Sequence, residues 1–316
     1  MASRREVLAL LAASLAASAA HGQRRIPQGT LARVIIDNDF AGDPDSLVAL
    51  AHHLLSPVTR ATLITTTAID PKLSSPALAE TSAIVGRDIA LELIRRLKPA
   101  IRPPVVAGPE SRGAGAARDD AARAIVTEAL RQDELPLYFC SGGPLTNLAA
   151  ALRLQPSIAD RMTVIWIGGG SYPEGGWEYN LSVDVEAART VIEGSQIPLW
   201  QVPQDAYRQM AFPISEMTDR LQPLSPFGAW LYDRFTSPPS FVKIGGAWPM
   251  GDSPPTLFTT IGSDSSRHVT RPARRILDDL RYGAELPARP IRVYESIDSR
   301  LALEDFLSLL RLHARR

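Results

Sequence analysis

Cysteine is almost missing from this chain: Cys140 is the only one in 316 residues, so no internal disulfide can form. It ends the apolar run Leu135–Cys140, where a buried structural thiol is expected. Lysine is nearly as scarce. Only Lys72, Lys98 and Lys243 stand among 34 basic residues, which with abundant alanine reads as codon bias. Those 34 basic residues are matched by 34 acidic ones, and no long basic run occurs. No nucleic-acid partner is therefore expected. Internal repeats and low-complexity stretches are absent too. The apolar run Val7–Ala20 falls short of the ~20 residues that a membrane-spanning helix needs.

That run reads instead as part of an export signal. Arg4 and Arg5 precede it, and Ala17-Ser18-Ala19 offers a small-residue cleavage site. Ser3-Arg4-Arg5-Glu6-Val7-Leu8 is similar to a twin-arginine signal. Residues 1–22 are thus expected to be removed, leaving 23–316 as a single domain in the periplasm or outside the cell. With the signal gone, no membrane association is expected.

Short apolar runs recur at Ala32–Asp37, Thr62–Thr67, Pro104–Ala107, Leu135–Cys140, Thr163–Ile167, Ile197–Val202 and Ile291–Tyr294. Helical patterns lie between the early ones, at Ser46–Leu55, Ala77–Leu97, Ala117–Arg131, Leu145–Leu152 and Asp184–Ile192. Strand alternating with helix predicts an α/β fold, with a mainly parallel central sheet and helices on both faces. From Pro213 to Arg289 the alternation fails, and Pro-rich turns such as Ser237-Pro238-Pro239 break the helical pieces. A cap over the strand ends is expected there.

The most informative stretch is Val34-Ile35-Ile36-Asp37-Asn38-Asp39-Phe40-Ala41-Gly42-Asp43-Pro44-Asp45. Its apolar start predicts a strand buried on both faces. Alternation would put Asp37 and Asp39 on one face at the carboxyl end, where open α/β sheets hold their ligands. Carboxylates this close repel unless a cation neutralises them or some are protonated. Hard divalent ions, Ca²⁺ above all, take such oxygen donors. A plainer alternative makes Asp43 an N-cap, Pro44 the first helical residue and Asp45 a complement to the helix dipole. It leaves Asp37 and Asp39, at the end of a buried strand, without a reason.

Further along, Ser141-Gly142-Gly143-Pro144-Leu145-Thr146-Asn147 leads from a strand into a helix, and Gly168-Gly169-Gly170 follows another strand. Glycine in such turns lets backbone approach a ligand, or simply turns tightly. Trp177-Glu178-Tyr179-Asn180 sets a carboxylate two residues from an amide, a pairing suited to sugar hydroxyls, and Gly251-Asp252-Ser253-Pro254 holds a late Asp in a turn.

In this order the elements resemble the nucleoside hydrolases, calcium-dependent N-ribohydrolases that prefer inosine and uridine. The acidic opening is Asp37 to Asp45, the Gly-Pro-Leu-Thr-Asn turn is intact at Gly143 to Asn147, and Glu178-Tyr179-Asn180 precedes Asp184-Val185-Glu186-Ala187-Ala188. The likeness runs from Ala32 to about Leu310. It implies a Rossmann-like core, cleavage of the N-glycosidic bond of ribonucleosides to base and ribose, and Ca²⁺ as cofactor. By the same resemblance Asp39 binds calcium and activates the water, Gly142 gives a carbonyl ligand and Asp252 a carboxylate. Asp45 ligates the metal or binds the ribose diol, Glu178 and Asn180 hold ribose hydroxyls, and Asp37 stands behind the ligands. The partner implied is a small nucleoside or related riboside, with homo-oligomerisation left open.

The chain also departs from the family. Asp43-Pro44-Asp45-Ser46 stands where adjacent aspartates are usual, so either Asp43 or Asp45 is the ligand. Gly251 replaces a His that protonates the departing base, and Ile69-Asp70 replaces a common Gly-Asn. Among the five histidines, His21 lies in the signal and His313 near the terminus; His52 and His53 adjoin on a helix, and His268 reads as surface loop. None supplies the missing proton convincingly. Tyr172, Tyr207 and Trp248 are candidates to stack on a base. Two rival readings remain: a haloacid-dehalogenase-like phosphohydrolase, for its Asp-x-Asp opening and late Gly-Asp, and a noncatalytic sugar or nucleoside binder, for Gly251.

Overall fold

Every residue of β1 (Ala32–Asn38) is buried. Val34 and Ile36 enter one apolar layer and Ile35 the opposite one, as side-chain alternation requires of a strand covered on both faces. A slip of one residue would send each side chain into the wrong layer, so the pattern itself sets the register. Each such aliphatic contributes roughly 1.5–3 kcal/mol when fully buried. The chain is seen in a computed structural model that describes residues 29–73, 75–110, 119–237 and 245–316. The expected export signal lies outside the described residues.

The strands that follow are β2 (Thr59–Thr66), β3 (Val105–Ala107), β4 (Leu137–Ser141), β5 (Thr163–Ile167) and β6 (Leu199–Val202); after a short separate pair, β7 (Ala211–Pro213) and β8 (Ala247–Pro249), come β9 (His268–Ile276) and β10 (Tyr282–Tyr294). They form one eight-stranded sheet in the order β3-β2-β1-β4-β5-β6-β10-β9. All neighbours run parallel except β9, which returns antiparallel along β10. The expected mainly parallel sheet is therefore what the chain builds. Helices α1 (Asp45–Leu55) and α2 (Ser82–Leu97) cover one face, while α3 (Asp120–Leu130) and α4 (Thr146–Leu154) cover the other.

Three expectations change. The single helix expected over Ala77–Leu97 is broken: a short turn, Pro76–Ala79, precedes α2, and Glu110 accepts from the backbone N–H groups of Ala83 and Ile84 to start the new helix. β9 was not foreseen, and β10 is far longer than Ile291–Tyr294. β9 is the sheet edge, and only Arg292 and Val293 of β10 pair with β6; much of both strands is exposed, so they carry no clean apolar alternation. Pro272 is tolerated because β9 is the edge. Finally, the stretch after Pro213 does not stand off as a cap alone. Leu231, Phe235 and Trp248 join the apolar layer under α1, and that packing carries Gly251 and Asp252 to the strand ends.

Candidate active site

The strand order reverses direction between β1 and β4, and an open parallel sheet has its crevice at such a point, beyond the carboxyl ends of the strands. Asp37 pairs in register with Ser141 there, so Asn38-Asp39 and Gly142-Gly143 leave the sheet side by side. A pocket of about 250 Å³ opens over them. Asp39, Asp43, Asp45, Gly142, Glu178, Asn180, Gly251 and Asp252 all line it.

Asp39 and Asp45 are 5 % exposed and Asp252 is 8 % exposed, which makes their charges costly. Burial pushes all three carboxyls well above the ordinary range; Asp252 adds to the effect on Asp39 and Asp45, and Asp43 acts on all three. The charges that act on them most strongly are thus those of Asp252 and Asp43. Asp43 is the exposed member at the rim, yet desolvation raises its carboxyl too, while a hydrogen bond with Asp45 lowers it. The backbone N–H of Asp252 donates to Asp45 Oδ2 at 3.2 Å, and Asn38 Nδ2 donates to Asp252 Oδ2 at 3.0 Å. Asn38 is a site residue that the sequence reading passed over, hidden between two more conspicuous aspartates. Its Oδ1 also accepts from the backbone N–H of Asp39 at 2.9 Å. Gly142 is required by space, since a Cβ there would fall 2.5 Å from both Asp252 Oδ1 and Asn38 Nδ2.

The capping alternative for Asp43 fails. Helix α1 begins at Asp45, Pro44 is its flanking residue, and no side chain caps it. The site's donors are carboxylate and carbonyl oxygens, a chemistry that fits a hard cation. Among the described residues, though, no three His, Cys, Asp or Glu side chains stand at the spacing that holds an ion, although Asp39, Asp43, Asp45 and Asp252 line one pocket.

Asp37 is outside this ring. It is fully buried, with Oδ1 accepting from Thr65 Oγ1 at 2.5 Å and from Asn147 Nδ2 at 2.7 Å, and burial lifts its pKa to about 7. It ties β1 to β2 and to α4, so the last residue of the Gly143–Asn147 turn works as a brace. Asn180 spends both amide hydrogens, on Gly142 O at 2.8 Å and Ile167 O at 2.9 Å, while its buried Oδ1 has no partner. Glu178 is engaged completely. Oε1 accepts from Asn180 N and Tyr207 Oη, and Oε2 from Gly169 N and Leu181 N. The two Leu181 and Asn180 bonds cap helix α5 (Tyr179–Val183).

Of the aromatic candidates, only Tyr207 reaches the pocket, at the end of the short helix Gln204–Tyr207. Trp248 is core, donating to Phe235 O, and Tyr172 packs on Tyr282. Trp177, 60 % exposed at the rim, was not singled out for stacking and is better placed for it. No described histidine lines the pocket. His52 and His53 are buried within α1, and His268 begins β9 rather than lying in a loop.

A model of the inosine-uridine preferring nucleoside hydrolases matches residues 34–253, from β1 to the residue after Asp252. The chain belongs to that family. This family member is 32% identical over 154 residues to the pyrimidine-specific ribonucleoside hydrolase RihA of Escherichia coli O1:K1 / APEC, an alignment covering 43% of this chain and 49% of that protein. The chain thus spans about half the length of the curated relatives it matches. Among solved structures, the inosine-uridine preferring nucleoside hydrolase of Bacillus anthracis superposes with a TM-score of 0.67 at 18% identity, over 89% of this chain and 99% of that one. A plant nucleoside hydrolase, PpNRh1, gives 0.66 at 20%, over 90% and 99%. Those two likenesses establish the shared fold.

Proposed function

We propose that the protein hydrolyses the N-glycosidic bond of ribonucleosides, releasing base and ribose, with calcium as cofactor. The observation that carries this is the gathering of Asp39, Asp43, Asp45, Asp252 and the Gly142 carbonyl around one pocket at the strand-order reversal, in a chain of this family. Asp39, Asp45, Asp252 and the Gly142 carbonyl would hold the ion, with Asp43 completing the charge at the rim. Bound calcium would supply positive charge to the ribose diol and to a water, and would keep the carboxylates ionised. Asp39 takes the proton of the attacking water as its oxygen bonds to C1′ and the C1′–N bond breaks, by analogy with carboxylate-driven glycoside hydrolysis. Asn180 Oδ1, an acceptor without a partner, receives a sugar hydroxyl. Asn38 and Asp37 orient this set without touching substrate. The departing base gains one proton, which no described pocket histidine donates, while C1′ keeps the hydroxyl and Asp39 gives up the proton it took.

The deciding experiment incubates the purified protein and calcium with a panel of ribonucleosides, reading reducing sugar, beside Asp39→Ala and a chelator control. Release of ribose by wild type alone, lost on chelation, is expected. Binding of nucleosides with no turnover over long incubation would replace the enzyme by the noncatalytic binder, the reading that Gly251 favours. Release of phosphate from phosphate esters instead would restore the phosphohydrolase, against which the family match stands. We also infer export, from Arg4, Arg5 and the Val7–Ala20 run; cell fractionation that leaves the intact chain in the cytoplasm overturns it.

A further inference from the structure

Glu178 is only 1 % exposed, yet it borders the pocket. A carboxylate offers about four acceptor positions, and all four are filled here by Asn180 N, Leu181 N, Gly169 N and Tyr207 Oη. Three of these donors are backbone groups that the fold holds in place. The fourth is a side chain, and it alone is negotiable. Tyr207 reaches Glu178 at 3.0 Å, and burial holds its phenol protonated and therefore donating.

Tyr207 and Gly251 form one unit. A Cβ at position 251 would sit 3.0 Å from Tyr207 Cδ2 and 3.3 Å from Asp45 Oδ2, so a side chain there would make the ring or the carboxylate shift by a few tenths of an ångström. The missing side chain at 251 is the room in which the Tyr207 ring lies. An Nβ-ribofuranoside carries three hydroxyls. In the reading proposed above, on which this inference rests, the 2′,3′-diol faces the aspartate ring and Asn180. Only the 5′-hydroxyl is left to reach Glu178, and its acceptor is taken.

We propose that Tyr207 is the specificity-determining residue of the sugar pocket, a built-in hydroxyl on Glu178 that makes the site favour ribosides lacking a free 5′-hydroxyl. A 5′-deoxyribonucleoside leaves the Tyr207–Glu178 bond intact and loses nothing. A substrate with a 5′-hydroxyl must break that bond or bury its own hydroxyl unpaired, and an unpaired buried polar group is costly. Tyr207→Phe keeps the ring against Gly251 and frees one oxygen of Glu178, so it exchanges the preference.

The experiment compares kcat/KM for uridine and 5′-deoxyuridine in wild type and Tyr207→Phe. Calorimetric binding of methyl β-D-ribofuranoside and its 5-deoxy analogue to both proteins adds a readout that needs no turnover. Wild type is expected to favour the deoxy compound in both measurements, and Tyr207→Phe to move each ratio towards the hydroxylated one by about 10-fold or more. Gly251→Ala, which crowds the ring, should move the ratios in the same direction. Ratios that are the same in wild type and Tyr207→Phe, in turnover and in binding, overturn the proposal, as does a wild-type preference for the 5′-hydroxyl. If wild type cleaves neither nucleoside, nucleoside hydrolysis fails, and the sugar-binding ratios still decide the role of Tyr207. Absence of sugar binding in both proteins overturns both.

Discussion

Single side chains in the pocket divide by what they touch. Asp39 and Asp252 come from opposite ends of the chain and act on each other across the same space. Asp39→Ala and Asp252→Ala should each abolish turnover and weaken calcium binding, because loss of one donor removes charge and geometry together. Calcium affinity unchanged in both variants would take the metal away from this pocket. Leaving-group chemistry supplies a second expectation. With no described histidine at the pocket, a nitrophenyl riboside, whose phenolate departs unaided, should react faster than inosine or uridine. General acid catalysis is typically worth ~10²–10⁴-fold, and a gap of that order is expected. Equal rates would show that some residue does protonate the base, with Tyr207 the first to test. Gly251→His is no simple rescue, since its side chain would meet both Tyr207 and Asp45.

At the scale of elements, short motifs turn out to be fastenings. Asp184 opens the Asp-Val-Glu-Ala-Ala stretch because it caps α6 (Val185–Ile192): Oδ1 accepts from Ala187 N at 3.0 Å, and Oδ2 from Thr146 Oγ1 at 2.7 Å. Helix α6 is thereby latched to the first residue of α4. Asp184→Ala should lower the unfolding free energy by about 1–2 kcal/mol, the usual cost of a lost cap. Asp184→Asn, which keeps an acceptor, should recover much of it in a denaturant titration. A variant as stable as wild type would make the cap idle. Glu178 plays a similar double part, capping α5 while closing the pocket, so Glu178→Ala is expected to cost stability as well as affinity.

For the molecule as a whole, His53 makes stability depend on acid. It lies 2 % exposed on α1 with Nδ1 unpaired, and burial, helped by neighbouring His52, lowers its pKa to about 3. The unfolded chain takes up this proton near the ordinary value of 6.5, whereas the folded chain refuses it until about pH 3. Stability is therefore lost as pH falls through that window, by up to roughly 1.4 kcal/mol per pH unit from this group alone. His53→Leu should flatten the fall in melting temperature between pH 6 and 4 relative to wild type. Parallel curves for the two proteins would assign acid sensitivity elsewhere.

The parallel sheet, the doubly buried β1 and the acid-rich turn after it were all determined by sequence, because burial periodicity and like-charge crowding are local properties written within a dozen residues. Thr163–Ile167 even has the same bounds in the sequence reading and in the fold. The edge hairpin β9–β10 was not legible, since an exposed edge imposes no apolar pattern. Which donors share a pocket was decided only by tertiary structure. Asp45 and Asp252 are 207 residues apart and joined by one hydrogen bond, and Asn38 acquires its role only once Asp252 arrives beside it. Tyr207 meets Glu178 because β5 and β6 run side by side and deliver their following loops to the same end of the sheet. No spacing along the chain encodes that meeting; it exists because parallel strands bring distant loops together at their carboxyl ends.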